Sequence, residues 1–263
     1  MPINESFDDT SEEIIRASDL LAPVPDFPQT AIVTFDVKTF DLMNDEYDIR
    51  PLAALVNAAS SVSVFCLNDG ERRFATCVSP VGAPAAVGIV EELAALGARR
   101  FVFFGSCGVL DSSIDAGRLI VPTAAWRDEG TSYHYAPAGD WVEVASAPAT
   151  QEILRAAGVG FVAGRVWTTD AFYRETRAVM ERRREAGCIA VDMECSGLAA
   201  AAAWRGLDVY QFLYAADNVD AAAWDRRILG ALPAEPRLAH ARVALEIARR
   251  LTTGGSRAGS RRQ

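Results

Sequence analysis

Histidine and lysine are almost missing from this chain of 263 residues. His134 and His240 are its two histidines, and Lys38 is the one lysine among 26 basic residues. So few histidines argue against a histidine-built metal site. Cys66, Cys77, Cys107, Cys188 and Cys195 are odd in number and show no C-x-x-C spacing, which argues against a disulfide framework and a zinc site. No apolar run reaches ~18 residues, and the N-terminal stretch MPINESFDDTSEEII is acidic where a signal peptide carries positive charge. The expectation is a reduced, cytoplasmic protein that neither spans a membrane nor is secreted. Positive charge is also in deficit: 35 acidic residues against 26 basic ones leave a net charge of −9. Nucleic-acid affinity rests on a basic surface, so that partner is not expected. A small-molecule partner fits better.

Half of the residues are hydrophobic and 23% are charged, a globular composition. The length allows one large α/β domain or two small ones. Residues 1–29 mix acidic and proline-rich stretches and read as an arm laid over the surface or over a partner subunit. The folded core is expected over 30–251, followed by a flexible Gly, Ser and Arg-rich tail over 252–263. Short β-branched runs predict strands over 31–35, 62–67, 74–78, 101–105, 119–122, 160–168 and 209–216. Helices are predicted over 83–96, 173–186 and 193–205, each followed by glycine at 97, 187 or 206, and over 236–251. Alternating strands and helices imply a mostly parallel sheet covered on both faces, with ligands at the carboxyl ends of its strands.

Four polar stretches follow predicted strands. Gly105-Ser106-Cys107-Gly108 can present backbone N–H groups and a hydroxyl to an anion or sugar; a tight glycine turn is the plainer explanation. The run from Arg127 to Tyr135 is rich in polar and aromatic residues. Its Ser132 and His134 lack the G-x-S-x-G elbow of a nucleophile, so a catalytic triad is not expected. Asp192 and Glu194 stand at a strand end leading into an alanine-rich helix, where capping alone would explain them. Asp217 and Asn218 end another strand, where an Asx turn competes with a catalytic acid.

Taken in this order, these stretches resemble the nucleoside phosphorylase and nucleosidase family, in particular its uridine-phosphorylase-like branch. The likeness runs from about Phe74 to Asp220 and includes TCVSPVGAPAAVGIVEELAALG, FFGSCGVLDSSIDAGRLIVPTAAWRDEGTSYHYAP, GRVWTTDAFYRET, VDMECSGLAAAAAWRGL and LYAADN. The resemblance implies a single α/β domain with a twisted, partly barrel-like mixed sheet flanked by helices, assembled into homo-oligomers, dimers or hexamers. It implies cleavage of the bond between ribose C1′ and a base nitrogen, with phosphate or water as acceptor. No metal or cofactor is implied; phosphate is the candidate co-substrate.

Residue roles follow from the same resemblance. Met193 and Glu194 match a pair under the ribose, Phe172 an aromatic beside the base, and Gly105 with Ser106 the turn on the sugar and phosphate side. Asp217 matches the acid placed beside N7 of a purine, which tilts the expected substrate toward purines. Arg174 and Arg177 are the candidate base contacts in FYRETR. Glu194 and Asp217 are the expected catalytic pair, because glycosidic cleavage develops positive charge on the sugar and negative charge on the base. The phosphate anchors depart from the family. Thr34 to Thr39 stands where Gly-Asp-Pro-x-Arg is expected, keeping Asp36 and losing the arginine, and Phe103 occupies the place of a second arginine. The segment from Val62 to Asn68 lacks the third. Lys38, Asp36 and Ser106 are the candidate acceptor residues. Three alternatives stay open: water activated by Asp36 or Asp41, a less charged ligand between Phe103 and Phe104, and a nucleoside-binding protein without catalysis.

Overall fold

A computed structural model describes residues 3–56 and 61–253. The expected tail lies outside the described residues from 254 onward. In chain order the elements are α1 (Ala17–Leu20), β1 (Thr30–Thr34), α2 (Val37–Glu46), β2 (Asp48–Val56), β3 (Ser61–Asp69), β4 (Arg72–Val78), α3 (Ala83–Leu96), β5 (Arg100–Val109), β6 (Leu119–Asp128), β7 (Trp141–Glu143), α4 (Ala147–Ala156), β8 (Phe161–Thr169), α5 (Arg177–Glu185), β9 (Cys188–Asp192), α6 (Cys195–Arg205), β10 (Asp208–Asn218) and α7 (Ala234–Thr253). Among the described residues no helix is long and apolar enough to cross a membrane.

The strands form one mixed sheet in which β5, β10, β6, β8 and β9 close on themselves as a barrel, because β10 pairs with both β5 and β6. From β5 the sheet continues outward through β1, β4, β3 and β2. The expected partly barrel-like mixed sheet is therefore present, whereas the expectation of mostly parallel strands is not met. β1 runs parallel to β4 and β5, β5 to β10, and β8 to β6 and β9. The pairs β2–β3, β3–β4, β5–β9, β6–β10 and β6–β7 are antiparallel. Short connections such as Gly70 and Glu71 between β3 and β4 permit hairpins that no crossover helix is needed to close.

All five residues of β1 are buried. Ile32 joins a core with Phe104, Phe212 and α7, while Ala31 and Val33 join another with Phe101, Phe103 and α3. A strand covered on both faces reads as an unbroken apolar run, which is why it was visible in the sequence. Helix α3 starts at Ala83, with Pro84 in its first turn and Gly82 as N-cap, and ends at Gly97. It packs against α6 through glycine: a Cβ added at Gly197 would stand 2.8 Å from the Ala83 Cβ. Two helix N-termini are thereby drawn together.

The predicted turn at Gly105 to Gly108 is instead the second half of β5, which runs on to Val109. Its glycines answer to close neighbours. A Cβ on Gly105 would meet the Phe35 ring at 2.8 Å. Gly105→Ala is expected to push that ring aside and cost about 1–3 kcal/mol, as overpacking does, read as a lowered thermal midpoint. An unchanged midpoint would show that Phe35 gives way freely. The predicted helix over 173–186 is a 3₁₀ turn over Phe172–Arg174 followed by α5, and that over 193–205 begins two residues later, at Cys195.

Candidate active site

Strands β9 and β10 both reach β5 at one residue: Gly108 pairs with Val191 on one side and with Asp217 on the other. A cavity of about 870 Å³ opens there, within the range of small-molecule sites. Ser106 is the one exposed residue in β5, and its side chain faces this cavity beside Phe35 and Val81. Phe172, Glu175, Met193, Glu194, Asp217 and Trp224 complete the working part of the wall. Neither histidine lines it.

Asp192 and Glu194 form the first pair of carboxyls. Asp192 accepts from the Thr168 hydroxyl at 2.7 Å and from the backbone N–H groups of Glu194 and Cys195 at 3.0 and 2.6 Å. From the end of β9 it thus holds the N–H groups at the start of α6, whose N-cap residue is Glu194, in keeping with the plainer explanation of this stretch. Glu194 is different. Its side chain leaves the helix and accepts from the Gly82 N–H at 2.7 Å, a contact that Gly82 makes from φ 104°, where side chains are disfavoured. Burial, and then the charge of Asp192, push the Glu194 carboxyl up to about 8. Burial also raises Asp192, to about 6, against its hydrogen bonds. The three donors around Asp192 make it the charged member, so Glu194 is the one that holds a proton near neutrality.

Asp217 and Glu175 form the second pair. β10 carries a register irregularity between Ala215 and Asp217 that re-aims the chain end. The Asp217 carboxylate then lies over Gly108, where a Cβ would be 3.3 Å from Oδ1. It accepts from the Trp224 indole N–H at 2.7 Å. Burial raises its pKa, and that hydrogen bond lowers it. The Asx turn weighed for this segment falls on Asn218, whose Oδ1 accepts from the Asp220 N–H. Glu175 is pushed up to about 7 by burial and by the charge of Asp217. Cys107, buried nearby, is raised well above the usual thiol range by burial and by Asp192 and Asp217, which suits an inert thiol. Raised carboxyls gathered in one cavity are a mark of acid–base sites.

Of the sequence candidates, Ser106, Phe172, Met193, Glu194 and Asp217 share this wall. Gly105 lies just behind it, under Phe35. Arg174 is exposed and outside the lining. Arg177 lines the cavity, yet its guanidinium donates to the carbonyls of Val219, Asp220, Ala221 and Ala222. Asp36 and Lys38 are elsewhere. Asp36 caps α2, accepting from the Lys38 N–H and the Thr39 hydroxyl, and is ion-paired to the buried Arg237. Lys38 and Asp41 border a separate shallow depression. No space for a ligand lies between Phe103 and Phe104, which corrects that expectation. Adjacent strand residues point to opposite faces, and the two rings are fully buried against Phe35 and Phe212 respectively. The run from Arg127 to Tyr135 is outside the lining. There Arg127 holds Ser132, Ala136 and Pro137, and Glu129 holds Ser196.

Sequence reasoning missed Glu175, Trp224 and Gly82. Glu175 stands inside FYRETR, where the arginines are the more conspicuous candidates. A tryptophan in an alanine-rich loop after the strand carrying Asp217 was the available signal for Trp224. Gly82 acts through its backbone and left no signal.

A closed mixed barrel with outer strands, and carboxyls at the junction of β5, β9 and β10, define an α/β scaffold of one recognisable class. The chain belongs to the phosphorylase superfamily, which it matches over residues 41–251. It is 29% identical over 200 residues to a guanosine phosphorylase of Halorubrum lacusprofundi, covering 72% of this chain and 78% of that one. Shorter stretches resemble uridine phosphorylases. The match is 38% over 96 residues in Thermococcus kodakarensis, 35% of this chain and 34% of the relative. In Escherichia coli K12 it is 30% over 148 residues, 50% and 58% respectively.

Proposed function

We propose that this protein cleaves the bond between ribose C1′ and a base nitrogen of a purine nucleoside. The observation that carries this reading is one cavity shared by Met193 and Glu194, by Phe172, and by the buried acid Asp217. Bond breaking leaves positive charge on the sugar and negative charge on the base. Asp217, with its pKa raised by burial, is suited to give a proton to the base as the bond opens. Met193 packs under the sugar, and Glu194 hydrogen-bonds its hydroxyls. The charge of Asp192, fixed by three donors, supplies a preorganised negative potential for the oxocarbenium ion. Ser106 faces the acceptor.

Phosphate is the acceptor that the family favours. A second reading, water, is favoured by the wall itself: its arginine, Arg177, is occupied by loop carbonyls, and Phe103 is sealed in the core. A dianion needs charge-assisted donors that these residues do not offer. The same family reading carries a homo-oligomer, which light scattering would weigh. The deciding experiment incubates purine and pyrimidine nucleosides with and without phosphate and resolves free base, ribose and ribose 1-phosphate. Phosphate-dependent ribose 1-phosphate supports phosphorolysis, and free ribose without phosphate supports hydrolysis. Thermal stabilisation by nucleoside with no base released would overturn catalysis in favour of binding.

A further inference from the structure

Each acid in the cavity wall but one has its partners within the protein. Asp192 has Thr168 and two backbone amides, Glu194 has Gly82, and Asp217 has Trp224. Glu175 lines the same cavity, partly buried; its backbone N–H donates to the Phe172 carbonyl, and its carboxyl has no hydrogen-bond or ion-pair partner among the described residues. A half-desolvated carboxyl left without a partner is costly, and a ligand's polar group is what can satisfy it.

The surroundings of Glu175 fix which group. Asp217 is the group whose ionised form acts on it. Arg177, two residues on, is spent on carbonyls 219–222, and Arg174 is exposed outside the lining. Asp170, before the 3₁₀ turn, accepts from the Gly130 N–H. Arg227 and Asp225 act on Asp217, and Asp192 and Glu194 are held by their own donors across the cavity. Glu175 is thus the neighbour of the acid assigned to N7. On a purine, N7 and the substituent at C6 share one edge: a 6-oxo group offers an acceptor there and a 6-amino group a donor.

We propose that Glu175 is a specificity-determining residue that reads the C6 substituent of the purine, donating to a 6-oxo oxygen when protonated and accepting from a 6-amino group when ionised. This rests on the proposed placement of Asp217 at N7. Because burial and Asp217 bring its titration to about 7, the preference turns over near neutrality.

The test measures kcat/KM for inosine and adenosine between pH 6 and pH 8 in the wild-type protein and in Glu175→Gln. The wild-type inosine-to-adenosine ratio should fall at least about tenfold across that range, the scale of one mismatched hydrogen bond. A glutamine amide donates and accepts at every pH, so Glu175→Gln should flatten the ratio, whatever its effect on absolute rates. A pH-independent wild-type ratio, or an unchanged slope in Glu175→Gln, overturns the proposal while base release continues to support glycosidic cleavage. If no nucleoside is cleaved, the cleavage reading fails by itself. Equilibrium dialysis of hypoxanthine and adenine over the same range then decides about Glu175: a turnover of preference that is lost in Glu175→Gln supports it, and a flat preference overturns it.

Discussion

Asp217→Asn is expected to lower kcat/KM for purine nucleosides by ~10²- to 10⁴-fold, the usual worth of a positioned proton donor. The substitution is close to isosteric. An asparagine oxygen can still accept from the Trp224 indole N–H that Asp217 binds at 2.7 Å, and its amide is no larger beside Gly108 than the carboxylate it replaces. What is lost is the transferable proton. The departing purine must then leave as an anion or take a proton from water. Pyrimidine nucleosides, which have no N7, should be cleaved with a much smaller loss. Equal losses on both substrate classes would remove the reason for assigning Asp217 to N7, and a wild-type rate on purines would remove Asp217 from the chemistry.

Glu194→Ala is expected to cost about 3 kcal/mol of transition-state stabilisation, roughly a hundredfold in kcat/KM. The truncation removes the proposed ribose contact and leaves the Gly82 N–H, which now donates to Glu194 at 2.7 Å, without an acceptor. Glu194→Gln keeps that acceptor and separates packing from protonation. In the folded protein Glu194 is raised from its ordinary 4.5 to about 8 by burial and Asp192, so folding favours its protonated form. The stability this provides is complete below about pH 4.5 and is lost as pH rises toward 8. The thermal midpoint of the wild-type protein should therefore fall over that window. In Glu194→Gln the fall should be shallower, with a remainder from Asp192. Identical pH profiles would show that Glu194 keeps its charge when buried, and wild-type turnover in both variants would sink its assignment.

Much of the cavity was legible in the sequence because its side chains sit at strand ends in an α/β fold. Ser106, Asp217 and the Asp192–Glu194 pair each follow an apolar run, and α3 was placed from Ala83 to Leu96 by its periodicity and closing glycine. The elements that went unread have physical reasons. α2 is polar on most of its surface, with only Thr39 and Met43 buried, and its N-cap, Asp36, presents itself in the sequence as an acceptor residue instead. β2 carries Pro51 beside a register irregularity, where an edge strand can tolerate proline. The glycines of β5 suggest a turn in the sequence because their cause is tertiary: Phe35, Asp217 and Val219 come close from distant parts of the chain. The same holds for Gly82 and Glu194, which are 112 residues apart in sequence and joined by one hydrogen bond.

The near-contact of Gly197 with Ala83 makes the spacing between two helices a gauge for the proposed sugar end of the cavity. Since a Cβ at 197 would come within 2.8 Å of Ala83, even an alanine there must wedge α6 away from α3. The Glu194 carboxyl would then be drawn off the Gly82 amide without any change to a residue that faces the ligand. Positions 83 and 197 are therefore where laboratory selection for bulkier or trimmed sugars should find its adjustments, widening or narrowing the site from behind.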